Sequence, residues 1–164
     1  MPSKPSLVIN TSPLVALAAG LDDFRVLSDI ATLVVPGEVL AELNAGADRD
    51  QAALLVRVAE FCQVRPTFSS LPPVFQGVLG PGEAAVLHTA LTEGLGTVVI
   101  DERKGRRWAS LHGLRVTGTL GLLLALRRRK LIPSMRAATD RLMTKGIHLD
   151  PSLVSAVLEE EARL

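Results

Sequence analysis

The chain has 164 residues, 48% of them hydrophobic, and its 18 Lys and Arg nearly balance 17 Asp and Glu. That length and apolar fraction suit one compact domain, residues 1–164, with a sizeable core. A lone Cys62 excludes an internal disulfide and points to a reducing cytoplasm, and no apolar stretch approaches the ~18 residues of a membrane span. Aromatics are 3% and tyrosine is absent, so the core is made of Leu, Val, Ile and Ala, which suits parallel strands buried under helices.

Residues 1–6 are expected to be a flexible start, without the apolar run of a signal peptide. Leu7-Val8-Ile9 then reads as a buried strand ending on Asn10-Thr11-Ser12. Thr11 or Ser12 caps a helix carrying Pro13 in its first turn and stopped by Gly20. Asp22 caps a second short helix through Phe24, Val26 and Leu27. Thr32-Leu33-Val34-Val35 reads as strand two, closed by Pro36, and a helix over 37–44 follows, ended by Gly46. Glu38 and Glu42, four apart, share one face of it. Asp48 or Asp50 opens a longer helix, and Val64 marks a short third strand. Residues 66–82, rich in Pro, Ser and Gly, read as a loop with one helical turn, of a length often functional.

A helix over 83–93 leads to a fourth strand over 97–100, which runs directly into Asp101-Glu102. A helix over 104–112, a strand over 114–117 and an apolar helix over 120–126 come next. Residues 133–164 read as a helical extension of two amphipathic helices. The apolar stripe Leu153, Val154, Val157 and Leu158 on the last one covers a sheet edge or forms a dimer contact. Strands alternating with helices imply right-handed crossovers and a parallel sheet.

Charge is unevenly distributed. Arg103, Lys104, Arg106, Arg107, Arg115, Arg127, Arg128, Arg129 and Lys130 lie within thirty positions that hold only Asp101 and Glu102 as acids. Such a stripe follows a phosphate backbone, or else its end caps a helix C-terminus, where cations are favoured.

In a parallel sheet, the places where strands end and helices begin lie on one rim. Asn10, Glu42, Glu83 and Asp101 all fall there, an oxygen-rich set suited to Mg²⁺ or Mn²⁺. Such ions serve in-line phosphodiester displacement. Each residue also has a plainer reading: Glu83 and Asp101 as helix-terminus residues, Glu42 as an exposed helix residue, Asn10 as a turn residue. His88, His112 and His148 share no ligand spacing with one another or with Cys62, which argues against zinc. Gly80-Pro81-Gly82-Glu83 lacks the Lys and Ser/Thr of a nucleotide loop, and Trp108 sits at the spacing of a packed residue.

Asn10-Thr11-Ser12-Pro13-Leu14, Pro36-Gly37-Glu38-Val39-Leu40-Ala41-Glu42-Leu43, Gly80-Pro81-Gly82-Glu83-Ala84-Ala85 and Ile100-Asp101-Glu102-Arg103-Lys104-Gly105-Arg106 together resemble a branch of the PIN-domain superfamily. So does Gly118-Thr119-Leu120-Gly121 followed by Leu131-Ile132-Pro133-Ser134. The blocks come in the family's order and span residues 7 to about 160. The resemblance implies a three-layer α/β/α fold with a central parallel sheet of about five strands and added C-terminal helices. It also implies Mg²⁺- or Mn²⁺-dependent RNA cleavage, and many relatives are toxins of toxin–antitoxin pairs, dimeric and silenced by a small partner protein. Carried over, the catalytic and metal-holding acids fall on Asn10, Glu42, Glu83 and Asp101, with Glu102 as the alternative to Asp101. Thr11, Ser12 and Thr119 fall near the site as water-positioning residues, and Arg103, Lys104, Arg106 and Arg107 as RNA contacts. Two departures stand out: Asn10 replaces the usual aspartate, and Glu83 is one methylene longer than the aspartate common in toxin branches. A silent nucleic-acid- or partner-binding module on the same fold is the main alternative. A receiver-type phosphoacceptor fares worse, lacking paired acids after the first strand.

Overall fold

Short runs of Val, Ile and Leu carry this fold, because strands buried on both faces need no polar alternation. The computed structural model describes residues 2–46 and 49–164. Five strands, β1 (Ser6–Ile9), β2 (Thr32–Val35), β3 (Gln63–Val64), β4 (Thr97–Val99) and β5 (Arg115–Thr117), form one parallel sheet in the order β3-β2-β1-β4-β5. Val8, Ile9, Val35, Val98 and Val99 in it are inaccessible to solvent.

The helices are α1 (Thr11–Gly20), α2 (Leu27–Ile30), α3 (Gly37–Ala45), α4 (Arg49–Phe61), α5 (Pro81–Thr92), α6 (Arg103–Leu111), α7 (Thr119–Arg128), α8 (Met135–Thr144) and α9 (Pro151–Glu161). On one side α1 touches α3, α4, α7 and α8, while α5 packs on β1 and β4 and α6 on β5. The result is the expected three-layer α/β/α sandwich. No helix among the described residues is long and apolar enough to cross a membrane.

The chain leaves β1 towards β2 and β3, then returns across the sheet to β4. The direction of winding therefore reverses between β1 and β4, and such switch points open a crevice at the carboxyl ends of the strands. Asn10 ends β1 and Ile100-Asp101 ends β4, and these strands are neighbours with Ile9 opposite Val99.

Local chemistry moved several boundaries. The start is tied down earlier than expected: Ser6 belongs to β1, and the Pro5 carbonyl accepts from Thr32 N at 2.9 Å. Asn10, rather than Thr11 or Ser12, holds the N-cap position of α1, and it makes no side-chain cap bond. Asp23, not Asp22, caps the following 3₁₀ turn, accepting from Arg25 N at 2.9 Å. Asp50 lies in the first turn of α4, and Asp48 falls outside the described residues. Pro81 brings the start of α5 forward by two residues, since a proline at the first helical position has no N–H to leave unpaired. A 3₁₀ turn at Pro73–Phe75 is the helical turn of the long loop.

The C-terminal stripe packs mainly on other helices. Helix α9 packs on α7 and α8, with Val157 and Leu158 against the core and Leu153 exposed. Two ion pairs tie it to the basic end of α7: Arg127 to Glu161 at 2.8 Å and Arg128 to Glu160 at 2.6 Å. Glu161 also accepts from Met135 N at 3.0 Å, at the start of α8. Arg129 donates to the Asp29 carbonyl at 3.1 Å. Arg127 to Arg129 thus join α7 to α9 and α2, a role that neither sequence reading of the basic stripe gave them.

Candidate active site at the strand ends

Glu42 sits in the second turn of α3, where its helix passes the ends of β1 and α5. Its Oε2 accepts a hydrogen bond from the Thr11 hydroxyl, and its Oε1 accepts from the Gly82 backbone N–H at 2.9 Å. Thr11 follows directly on Asn10, and Gly82 directly precedes Glu83. One carboxylate therefore bridges two segments that each carry another predicted site residue. The Thr11 hydroxyl thus holds Glu42 in place. Ser12, by contrast, is exposed and has no part in this network.

Asp101 is fixed in the same manner on the other side of the crevice. Its Oδ1 accepts from Thr119 N at 2.8 Å and its Oδ2 from the Thr119 hydroxyl at 2.6 Å. The donors lie at the N-terminus of α7, where a negative charge is favoured. Thr119 is buried and, like Thr11, its hydroxyl serves a carboxylate. A carboxylate oxygen has two acceptor positions, so neither Glu42 nor Asp101 is exhausted by these bonds.

Asn10 and Glu83 are arranged differently. Asn10 is 6% exposed, and its backbone extends the β1–β4 ladder through a bond to the Val99 carbonyl at 3.1 Å. Its side-chain Oδ1 is buried without a hydrogen-bond partner, as is Oε1 of Glu83. Burial pushes the Glu83 carboxyl up to about 7, helped by a hydrogen bond with Glu102 and by the negative charges of Glu102 and Glu42, with Lys104 opposing. Glu102 takes the N-cap position of α6 and is exposed. It is a neighbour of Glu83, whereas Asp101 is the strand-end acid locked into the fold.

Of the basic segment, Arg106 stands apart. Its Nη1 donates to the Ile100 carbonyl at 2.7 Å, holding the guanidinium at the end of β4. Arg103, Lys104 and Arg107 are exposed on α6. The aromatic side chains near this helix are structural: Trp108 meets Phe75 edge-on at 6.3 Å and stacks with His112 at 5.8 Å. His88 packs edge-on against Phe68 at 4.5 Å.

The sequence reading missed Glu38 as an anchor of the 66–82 loop. Its Oε1 accepts from Phe68 N at 2.6 Å, so Glu38 and Glu42, though on one helix face, have separate tasks. The glycines beside the carboxylates were missed too. A Cβ on Gly82 would lie 2.5 Å from Glu42 Oε2, and one on Gly118 would lie 2.5 Å from Asp101 Oδ1. The only signal in the sequence was that both glycines belong to blocks already carrying site residues.

The donor set is amide and carboxylate oxygen, with two buried oxygens unpartnered, and such hard donors fit a divalent ion of the Mg²⁺ or Mn²⁺ kind. Among the described residues no three His, Cys, Asp or Glu side chains converge closely enough to hold an ion by themselves. A profile described as PIN domain matches residues 6–162, almost the whole length.

The chain belongs to the PIN-domain family. The PIN fold is nuclease-type, and PIN domains generally use divalent metal ions. Among solved structures, the crystal structure of PAE2754 from Pyrobaculum aerophilum is similar at 21% identity, covering 77% of this chain and 99% of that one, with a TM-score of 0.47. No curated protein matches.

Proposed function

We propose that this PIN domain is a Mg²⁺- or Mn²⁺-dependent endoribonuclease, the toxin of a toxin–antitoxin pair. The observation that carries the reading is the rim itself: two carboxylates clamped by Thr11 and Thr119, beside two buried oxygens, on Asn10 and Glu83, that no protein group satisfies. Asn10, Glu42, Glu83 and Asp101 would hold the ion, with Glu102 at the edge of the set. Bound there, a divalent ion supplies Lewis acidity towards a phosphodiester and its attacking water. Thr11 and Thr119 keep the carboxylates from swinging away, which lowers the cost of ordering them when substrate arrives. In the metal-free protein burial raises the Glu83 carboxyl to about 7, and an ion bound there would hold it as the carboxylate. The exposed Arg103, Lys104 and Arg107 bind backbone phosphates on either side of the scissile bond, while Arg106 holds the end of β4. A homodimer and a small antitoxin-type protein complete the proposal.

One observation favours the second reading, a binding module without catalysis. Asn10 is neutral, and among the described residues no three His, Cys, Asp or Glu side chains converge to hold an ion. The two readings are separated by incubating the purified protein with a structured RNA and Mn²⁺, beside Asp101→Asn and an EDTA control. Cleavage that falls at least ~100-fold in both controls supports the nuclease. Equal cleavage by wild type and Asp101→Asn overturns it, and RNA retention without cleavage supports the binding module.

A further inference from the structure

Gly80, Gly82 and Gly118 all lie at the rim, yet they differ in what a side chain would meet. At Gly80 a Cβ finds nothing within 4 Å. At Gly82 it would lie 2.5 Å from Glu42 Oε2, 2.6 Å from Oε1 and 2.7 Å from Cδ, so the entire carboxylate occupies the place of the missing methyl group. At Gly118 it would lie 2.5 Å from Asp101 Oδ1 and 3.0 Å from Arg106 Nη1. Neither glycine is needed for its backbone conformation: Gly82 is helical, within α5, and Gly118 is extended at φ −138°. Gly105 is a mixed case, because a Cβ there meets Ile100 Cγ2 at 2.9 Å before Glu83 Oε1 at 3.1 Å, and ordinary helix–sheet packing accounts for it.

Each of the two glycines is also coupled to the hydrogen bond that orients the same carboxylate. Gly82 donates its own N–H to Glu42, and Thr119, directly after Gly118, donates to Asp101. The backbone can approach the carboxylate closely enough to make those bonds only because no methyl group stands between them. At Gly118 the space is shared by Asp101 and Arg106, so an added methyl group would push on an anion and on the cation that fastens the end of β4.

We propose that Gly82 and Gly118 are positioning residues of the candidate metal site, acting through Glu42 and Asp101, and that their lack of a side chain sets where those carboxylates stand. The metal consequence rests on the proposed function; the positioning itself does not. Gly82→Ala and Gly118→Ala are compared with Gly80→Ala in three measurements on the full chain. Mn²⁺ titration by calorimetry should show affinity about 10-fold weaker or more for the first two and unchanged for Gly80→Ala. Amide NMR signals at position 82 in the first variant and at Thr119 in the second should move, reporting loss of the carboxylate acceptor, while Gly80→Ala leaves both in place. A double-mutant cycle in urea should show that the loss of stability from Gly118→Ala shrinks in an Asp101→Ala background, leaving only the Arg106 part, and that from Gly82→Ala disappears in a Glu42→Ala background.

Unmoved amide signals, or a penalty undiminished after the carboxylate is removed, would overturn the positioning role. If wild type binds no Mn²⁺ while the amide signals and the cycle behave as stated, the metal reading fails and the positioning role stands. If Mn²⁺ binds wild type and both alanine variants equally, the positioning role in metal binding is wrong.

Discussion

Glu83 makes the metal-free protein sensitive to pH in an unusual direction. Its carboxyl is raised from an ordinary 4.5 to about 7, first by burial and then by Glu102. Between those values the folded protein holds a proton that the unfolded chain has released. Stability is therefore fully present below about pH 4.5 and is lost as pH rises through 7, for this group alone. At about 1.4 kcal/mol per pH unit, a shift of this size has a ceiling of ~3 kcal/mol. Glu83 is only half-buried, and water screening reduces the expected effect to about 1–2 kcal/mol. Urea unfolding of wild type and Glu83→Gln is measured from pH 4.5 to 8.5 in EDTA. The difference between the two curves should grow by that amount with rising pH, in favour of the glutamine variant, because glutamine has no proton to lose. Saturating Mn²⁺ should oppose the trend in wild type only, since binding requires the carboxylate form. Parallel curves in EDTA would refute the argument that burial and Glu102 hold Glu83 protonated.

Thr119→Val removes the 2.6 Å bond to Asp101 Oδ2 and leaves the backbone bond to Oδ1. It should cost about 1–2 kcal/mol in denaturant unfolding and lower Mn²⁺ affinity about 10-fold in calorimetry. Glu161→Ala loses bonds to both Arg127 and Met135 N, so it should destabilise by about 1 kcal/mol in urea. Glu160→Ala breaks two exposed pairs, with Arg128 and with Arg163, and should unfold like wild type. Burial pushes the Cys62 thiol up to about 12. Its reaction with a thiol reagent at pH 8 should be slow in the native protein and fast in urea, in a simple absorbance assay.

The layered architecture was legible because its signals are local. Val and Ile runs without polar alternation mark strands buried on both faces, and each is followed by an apolar helical pattern. The placing of Asn10, Glu42, Glu83 and Asp101 at strand–helix junctions was legible for a related reason: such junctions of a parallel sheet share one rim. Misplaced boundaries arose where competing caps were adjacent, as with Asp22 and Asp23, or where Pro81-Gly82 read as loop although a proline suits a first helical turn. The basic stripe divided as it did because charge content says nothing about partners. Arg127 and Arg128 meet Glu161 and Glu160 more than thirty residues away, while Arg103, Lys104 and Arg107 stay exposed.

Composition, periodicity and junction residues by themselves determined the fold class and the rim on which the acids stand. Only tertiary packing decided how those acids are held. Thr11 reaches Glu42 across 31 positions and Thr119 reaches Asp101 across 18, and the spaces at Gly82 and Gly118 exist only once distant segments meet. Hydrogen-bond satisfaction and close approach depend on side chains brought together from far apart in the chain, and no local pattern encodes them. Burial of Glu83 belongs to the same class, which is why its raised pKa could not be read from the residue's place in the sequence.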